Sequence, residues 1–253
     1  MNFQERKQII IEKVETNGNV DVKELAALLN TSEITVRRDL AILAEKGLIF
    51  RTHGGAMKLS LSYDTIDFVN KSAVRGEQKD YICQIAASYI NEGDVVFLDC
   101  GSTVYRICPF IRNMKIKVVT NSIPIVNTLL NSSVSLNFAG GEIDQERQAS
   151  HGNIAIEHFA RYRADKAFLG VDGISVNNGL SASSEKEAEI STILAKYAKE
   201  TFLLCDSSKF ERDRYLPFAP IDMANYLITD NGADETLIRK YESLGVIVVK
   251  SKA

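Results

Sequence analysis

The sequence predicts an α/β protein, with a small helical unit at the N-terminus followed by a larger unit built on a largely parallel β-sheet. Three observations carry this. Apolar residues recur at helical spacing from Gln4 to Leu43, whereas beyond Val95 short runs of Val, Ile, Leu and Phe alternate with amphipathic helical segments. Continuous apolar strands between helices mark a sheet covered on both faces. The third is size: 253 residues with 45% hydrophobic and 25% charged side chains suit two domains of about 100 to 200 residues each, enough for a full core. That composition excludes disorder and fibres. No apolar run approaches the ~20 residues of a membrane helix, and Met1 to Lys7 is polar and charged rather than signal-like. A soluble, cytoplasmic protein is expected, with no membrane partner.

The helical unit comes first in the chain. Ile9, Ile10, Ile11 and Val14 share a helical face, and Asn17-Gly18-Asn19 closes that helix. Asp21 caps a second helix with Glu24 at capping-box spacing, and Leu25, Ala26, Leu28 and Leu29 supply its buried face. After the Asn30-Thr31 turn, Ser32 caps a third helix, whose apolar residues are Ile34, Val36, Leu40, Ile42 and Leu43 and which stops at Gly47. Leu48 to Thr52 then reads as a short strand ending in His53-Gly54-Gly55.

Two helices joined by a short turn, the second with adjacent arginines near its start, have the spacing of a helix-turn-helix, and the strand with its glycine turn would add a wing. Side chains that could reach base edges and phosphates from such a helix are Ser32, Thr35, Arg37 and Arg38, with Arg51 and His53 on the wing for phosphate. The same pattern fits a helical mini-domain with a solvated charge pair. Charge does not separate the two: residues 1–58 hold nine basic and eight acidic side chains, and the whole chain has a formal charge of −3.

From Lys58 to Val69 periodicity is weak and Ser and Asp are frequent, so residues 59–75 are expected to link a unit over 1–58 to one over 76–253. A helix over Glu77 to Ile90 opens the second unit. Strands are expected over residues 95–99, 117–120, 134–139, 166–171, 202–204, 226–229 and 246–249, and further helices over 123–130, 185–199 and 234–244.

In open α/β sheets ligands bind beyond the carboxyl ends of strands. The residues there are small and polar in a consistent way: Asp99-Cys100-Gly101-Ser102-Thr103, then Thr120-Asn121-Ser122, Ala139-Gly140-Gly141, Asp172-Gly173 and Asp206-Ser207-Ser208-Lys209. Glycines let backbone N–H groups approach an anion, hydroxyls donate to it, and Lys209 supplies countercharge. Together these loops suggest a phosphate-ester pocket formed by Asp99, Gly101, Ser102, Thr103, Asn121, Gly140, Gly141, Asp172, Gly173 and Lys209. Asp99, Asp172 and Asp206 could bind sugar hydroxyls, although strand-end aspartates also cap turns. Glu187, at a helix start, is read as favoured by the helix dipole.

Cys83, Cys100, Cys108 and Cys205 lack any CxxC spacing and read as small buried hydrophobes. His53, His151 and His158 are too separated for a metal cluster and read as surface or hydrogen-bonding residues. Neither a metal nor a cofactor is expected.

Taken in order, Ser32-Glu33-Ile34-Thr35-Val36-Arg37-Arg38-Asp39-Leu40, Gly47-Leu48-Ile49 and His53-Gly54-Gly55-Ala56 resemble the DNA-binding module of the DeoR family of bacterial transcriptional regulators. The resemblance continues through Leu98 to Thr103, Val119 to Ser122, Gly140-Gly141, Phe168 to Ile174, Asp206 to Phe210 and Ile228 to Asp230, essentially the whole chain. It implies a winged helix-turn-helix joined to a Rossmann-like sheet related to ribose-5-phosphate isomerase, with a phosphorylated sugar or sugar alcohol as effector. It also implies repression of a carbohydrate-utilisation operon, relieved when the effector releases the protein from its operator. Operators of helix-turn-helix proteins usually require dimers or higher, so a homo-oligomer, dimer or tetramer, is expected.

Two other classes compete. An aldose–ketose isomerase or amino-sugar phosphate deaminase could use the same sheet, but proton transfer at carbon needs a positioned base, and Ser175 stands where the isomerase carries an Asp. An architectural DNA-binding protein with an inert second domain would not need the polar loops.

Overall fold

The computed structural model describes residues 2–45, 48–52, 54–57 and 68–250, which fall into two compact units, residues 1–76 and 77–253. His53, Lys58 and most of the expected linker lie outside the described residues.

In the first unit, α1 (Phe3–Asn17) begins with a reciprocal cap: Glu5 N–H donates to the Asn2 side chain at 3.0 Å, and Asn2 N–H donates to the Glu5 carboxylate at 2.9 Å. It ends at Gly18, whose φ of 78° a side chain would disfavour. Next comes β1 (Asn19–Asp21), a strand the sequence reading did not anticipate. Asp21 then caps α2 (Val22–Leu28) by accepting from Lys23 N–H at 2.7 Å. α3 (Glu33–Glu45) follows, then β2 (Phe50–Arg51) and β3 (Gly55–Met57), forming an antiparallel sheet in the order β1-β3-β2. Gly55 is required there, since a Cβ at that position would sit 1.8 Å from the Val20 carbonyl oxygen. α4 (Phe68–Ala73) falls within the stretch expected to be linker.

Ile10, Val14, Leu25, Val36, Leu40, Leu43 and Ile49 form the core of this unit. Leu28, expected on the buried face of α2, is instead 51% exposed, and on α3 Ile34 is 81% exposed. For Ile34 the reason is periodicity. At about 100° per residue, Val36, Leu40 and Leu43 share one stripe, and Ile34 lies about 200° from Val36. α1 is held to α3 by Arg6, whose guanidinium donates to both carboxylate oxygens of the buried Asp39 at 2.6 and 3.2 Å.

The second unit opens with α5 (Gly76–Ser88). Then come β4 (Val95–Leu98), a 3-10 turn (Val104–Ile107), α6 (Cys108–Ile111), β5 (Lys117–Thr120), α7 (Ile123–Leu129) and β6 (Ser135–Phe138). A hairpin of β7 (Glu142–Asp144) and β8 (Ala149–His151) leads into α8 (Asn153–Ala160) and β9 (Ala164–Gly170). After β10 (Gly173–Ser175), β11 (Gly179–Ala182) and α9 (Glu185–Lys196), the chain enters β12 (Ala198–Leu204) and a 3-10 turn (Ser207–Lys209). It closes with β13 (Leu216–Ala219), β14 (Tyr226–Ile228), α10 (Glu235–Ser243) and β15 (Ile247–Val249).

All seven expected strands enter one parallel sheet in the order β15-β14-β12-β9-β4-β5-β6. Its residues alternate between two cores: Phe97, Ala167 and Leu169 pack into one, and Val96, Leu98 and Phe168 into the other. The β7-β8 hairpin and the small β10-β11-β13 sheet are additions that the sequence did not reveal. From β4 the chain winds outward through β5 and β6, and from β9 outward through β12, β14 and β15, so the direction of winding reverses between the neighbours β4 and β9. In open α/β sheets such a reversal is where a ligand crevice lies, beyond the carboxyl ends of the two strands.

Candidate functional site

At the crevice, the loops after β4 and β9 nearly touch. A Cβ on Gly101 would lie 3.2 Å from Gly170 Cα, and one on Gly170 would lie 3.3 Å from Gly101 Cα. Asp99 ties the loops together, accepting from Gly170 N–H at 3.0 Å and Cys100 N–H at 2.6 Å. It is 5% exposed, and burial pushes its carboxyl above the usual range against the pull of those two donors. Asp99 therefore shapes the loop, with both oxygens already engaged by backbone.

Beside it, Lys79 of α5 donates to Ser102 Oγ at 3.3 Å, although its side chain is buried. A buried ammonium against a Gly-Ser-Thr loop is the charge an anion would seek. Thr103 is 1% exposed, and its hydroxyl has no hydrogen-bond partner. Sequence reasoning missed Lys79, yet a signal existed: it stands at i−3 and i−4 from the buried Ile82 and Cys83, a lysine on an apolar helical stripe.

Arg147, between β7 and β8, was also missed, and no sequence pattern marks it. Its guanidinium lies 3.1 Å from Glu187 and 3.7 Å from Asp172. Burial works against its charge, but the carboxylates of Glu187 and Asp172 outweigh that and hold its pKa above the ordinary value. Glu187 thus has a charge partner as well as a helix start. Asp172 additionally accepts from Ser183 N–H at 3.2 Å, and Gly173 lets the chain pass within van der Waals reach of Arg212, whose carbonyl oxygen would be 2.1 Å from a Cβ. Lys209 donates to the Val171 carbonyl at 2.7 Å, which brings the loop after β12 against the loop after β9.

The loops after β5 and β6 converge on β8 instead. Asn121 is wholly buried and donates to the Ser150 carbonyl at 2.8 Å, while its own Oδ1 has no partner. Gly141 has φ 152°, and a Cβ there would meet the His151 carbonyl oxygen at 2.4 Å; Gly140 faces open space. His151 departs from expectation. It is 1% exposed with neither ring nitrogen hydrogen-bonded, and burial lowers its pKa. His158 does bond, to Asn137 at 2.8 Å. The four cysteines are buried, unpaired thiols, and burial pushes each upward, Cys108 to about 12. Protonated thiols of this kind are poor nucleophiles.

In the first unit, Ser32 and Thr35 spend their hydroxyls locally. The two oxygens are 2.9 Å apart, and Thr35 N–H donates to Ser32 Oγ at 3.2 Å, so Ser32 caps α3 as expected. Arg37 and Arg38 are exposed, with Arg37 3.7 Å from Glu33 one turn earlier. Arg51 is exposed on β2, and His53 lies outside the described residues. Among the described residues, no cluster of His, Cys, Asp and Glu could hold a metal ion, and no helix is long and apolar enough to cross a membrane.

Residues 6–60 match the DeoR-like helix-turn-helix domain family, and residues 74–231 match the DeoR C-terminal sensor domain family. The chain is 35% identical to the HTH-type transcriptional regulator FruR of Bacillus subtilis, covering 97% of each. It is 33% identical to a lactose phosphotransferase system repressor of Staphylococcus epidermidis over 91% of this chain and 93% of that one. It is 30% identical to a putative aga operon transcriptional repressor of Escherichia coli O157:H7 over 97% and 93%. A solved ribose 5-phosphate isomerase A from Methanocaldococcus jannaschii aligns at TM-score 0.40 and 17% identity over 53% of this chain and 54% of that one, too slight a likeness to bear on chemistry.

Proposed function

Because this chain belongs to the DeoR family of DNA-binding transcriptional regulators, we propose that it represses a carbohydrate-utilisation operon from the cytoplasm and leaves its operator when a phosphorylated sugar or sugar alcohol binds the second unit. One observation carries the effector reading: the buried Lys79 ammonium at 3.3 Å from Ser102 Oγ, in the loop beside the β4/β9 crevice. Gly101, Ser102 and Thr103 hold the phosphate, with Lys79 and Lys209 as countercharge. Asn121, Gly140, Gly141, Asp172 and Gly173 line the polyol end, and Asp99 positions the loop. In the first unit, Ser32, Thr35, Arg37 and Arg38 face the major groove and Arg51 and His53 face phosphate, in a homodimer or higher oligomer matched to a two-fold operator. A related repressor named for a lactose phosphotransferase system supports the carbohydrate assignment, and one named for the aga operon supports the operon reading. With a transcriptional regulator's domains and relatives, the chain is not read as an isomerase or deaminase.

A thermal-shift screen of phosphorylated sugars and polyols tests the effector. A ligand at 100 times its Kd adds about 2.7 kcal/mol to the folded state, so a true effector raises the melting temperature while its unphosphorylated parent does little. Equal shifts with both, or none with any phosphorylated compound, would reject the reading.

A further inference from the structure

We propose that Ile34 reads the C5-methyl group of a thymine in the operator's major groove and thereby fixes one base pair. This rests on the first unit being the DNA reader and names a specificity residue within it. Ile34 is 81% exposed, whereas Val36, Leu40 and Leu43 on the same helix are wholly buried. At about 100° per residue, Arg37 lies roughly 60° to one side of Ile34 and Arg38 roughly 40° to the other, so the three share the outward face of α3. The core makes no use of the Ile34 side chain, and a polar residue would fold as well there.

Its neighbours sharpen the point. The Ser32 and Thr35 hydroxyls are occupied with each other and with the helix cap, and Arg37 leans toward Glu33. Ile34 is therefore the large apolar surface on the first turn of the helix, the turn that meets base edges in helix-turn-helix complexes. Thymine presents the one methyl group in the major groove of B-DNA, where the base edges otherwise offer mainly hydrogen-bond donors and acceptors. An aliphatic side chain over those groups strips water from them without a replacement partner, which is costly. Over a thymine it buries methyl against methyl. Ile34 and Arg38 are separated by about 6 Å along the helix, close to two base pairs at about 3.4 Å each, so the thymine is expected within about two pairs of the base that Arg38 reads.

The test uses the full-length protein and a duplex enriched by it from a random-sequence library. Each thymine of that duplex is replaced singly by deoxyuridine, which removes the methyl group and nothing else. At one position the replacement should weaken the wild-type protein roughly fourfold, about the worth of one buried methyl, and should leave Ile34→Ala unaffected. Ile34→Thr, which keeps a methyl on Cβ, should retain part of the discrimination, and melting temperatures should match the wild type because the side chain is exposed. If every replacement affects wild type and Ile34→Ala equally, or none affects the wild type, the inference is wrong. Failure to enrich any duplex would instead sink the DNA-reader reading, and the inference with it.

Discussion

The two units place their candidate functional groups in opposite surroundings. On α3 the groups are exposed, and the polar ones near its start are occupied with one another: Ser32 with Thr35, and Arg37 with Glu33. Around the β4/β9 crevice and along β8 the groups are buried or half-buried, and Thr103, Asn121 and His151 each keep at least one polar atom without a partner. A surface that docks on a highly charged polymer can be finished before its ligand arrives, whereas a pocket for a small polar molecule holds part of its hydrogen bonding open for the ligand. The contrast makes a general statement that can be broken: variants in the reader should change binding and spare folding, while variants in the sensor should change both.

The largest effect is expected from Arg37→Ala combined with Arg38→Ala. Each arginine is worth about 1–3 kcal/mol if it reads a base, so the pair should lower operator affinity by about 2–6 kcal/mol with no change in melting temperature. A phosphate-contacting member would reveal itself by reducing the salt slope by about one unit. Wild-type affinity and salt dependence in the double variant would mean that α3 is not the reading helix. Next comes Lys209→Ala, expected to cost a phosphorylated effector about 1.5–3 kcal/mol, the range for a hydrogen bond to a charged group. Calorimetry with the unphosphorylated parent should show far less loss. Equal losses would make Lys209 a structural residue serving the Val171 carbonyl.

Asn121→Ala addresses the stability half of the contrast. It removes the donor from the Ser150 carbonyl and empties a fully buried position, so a stability loss of about 1–3 kcal/mol by urea denaturation is expected. No loss would show that Asn121 can be traded as freely as an exposed arginine, and the contrast between the units would fail there.

How much of this was legible beforehand follows from the physics of each element. The seven parallel strands were visible because burial on both faces demands unbroken apolar runs such as Val95 to Leu98, and the strand-end loops followed from them. The β7-β8 hairpin was not: Glu142-Ile143-Asp144 and Ala149-Ser150-His151 are three residues each with little apolar content, too short to show a period. Arg147 was lost with that hairpin. Ile34 is apolar by type, yet its phase against Val36 and Leu40 already puts it outside the core. Lys79 is the converse, a charged residue in phase with Ile82 and Cys83. In both, phase carried information that residue type concealed.

The smallest effect concerns His151. Burial is the main cause that lowers its pKa, opposed by the Asp144 carboxylate and by the backbone of Lys186, while the charges of Lys186 and Arg147 add to the depression. The folded state therefore keeps the imidazole neutral at pH values where an unfolded chain, with an ordinary histidine pKa of about 6.5, takes up a proton. By linkage, stability is fully present above about pH 6.5 and is lost as pH falls through that value toward the lower folded pKa. One proton sets a ceiling of about 1.4 kcal/mol per pH unit. His158 is also lowered, by burial and by Arg161, so the informative quantity is the difference between the wild type and His151→Gln, which deletes one titration and leaves the other. Denaturation at pH 8 and at pH 5.5 should show a steeper loss for the wild type than for the variant. Parallel losses would mean that His151 titrates alike in both states, and that its buried ring finds a partner when it is charged.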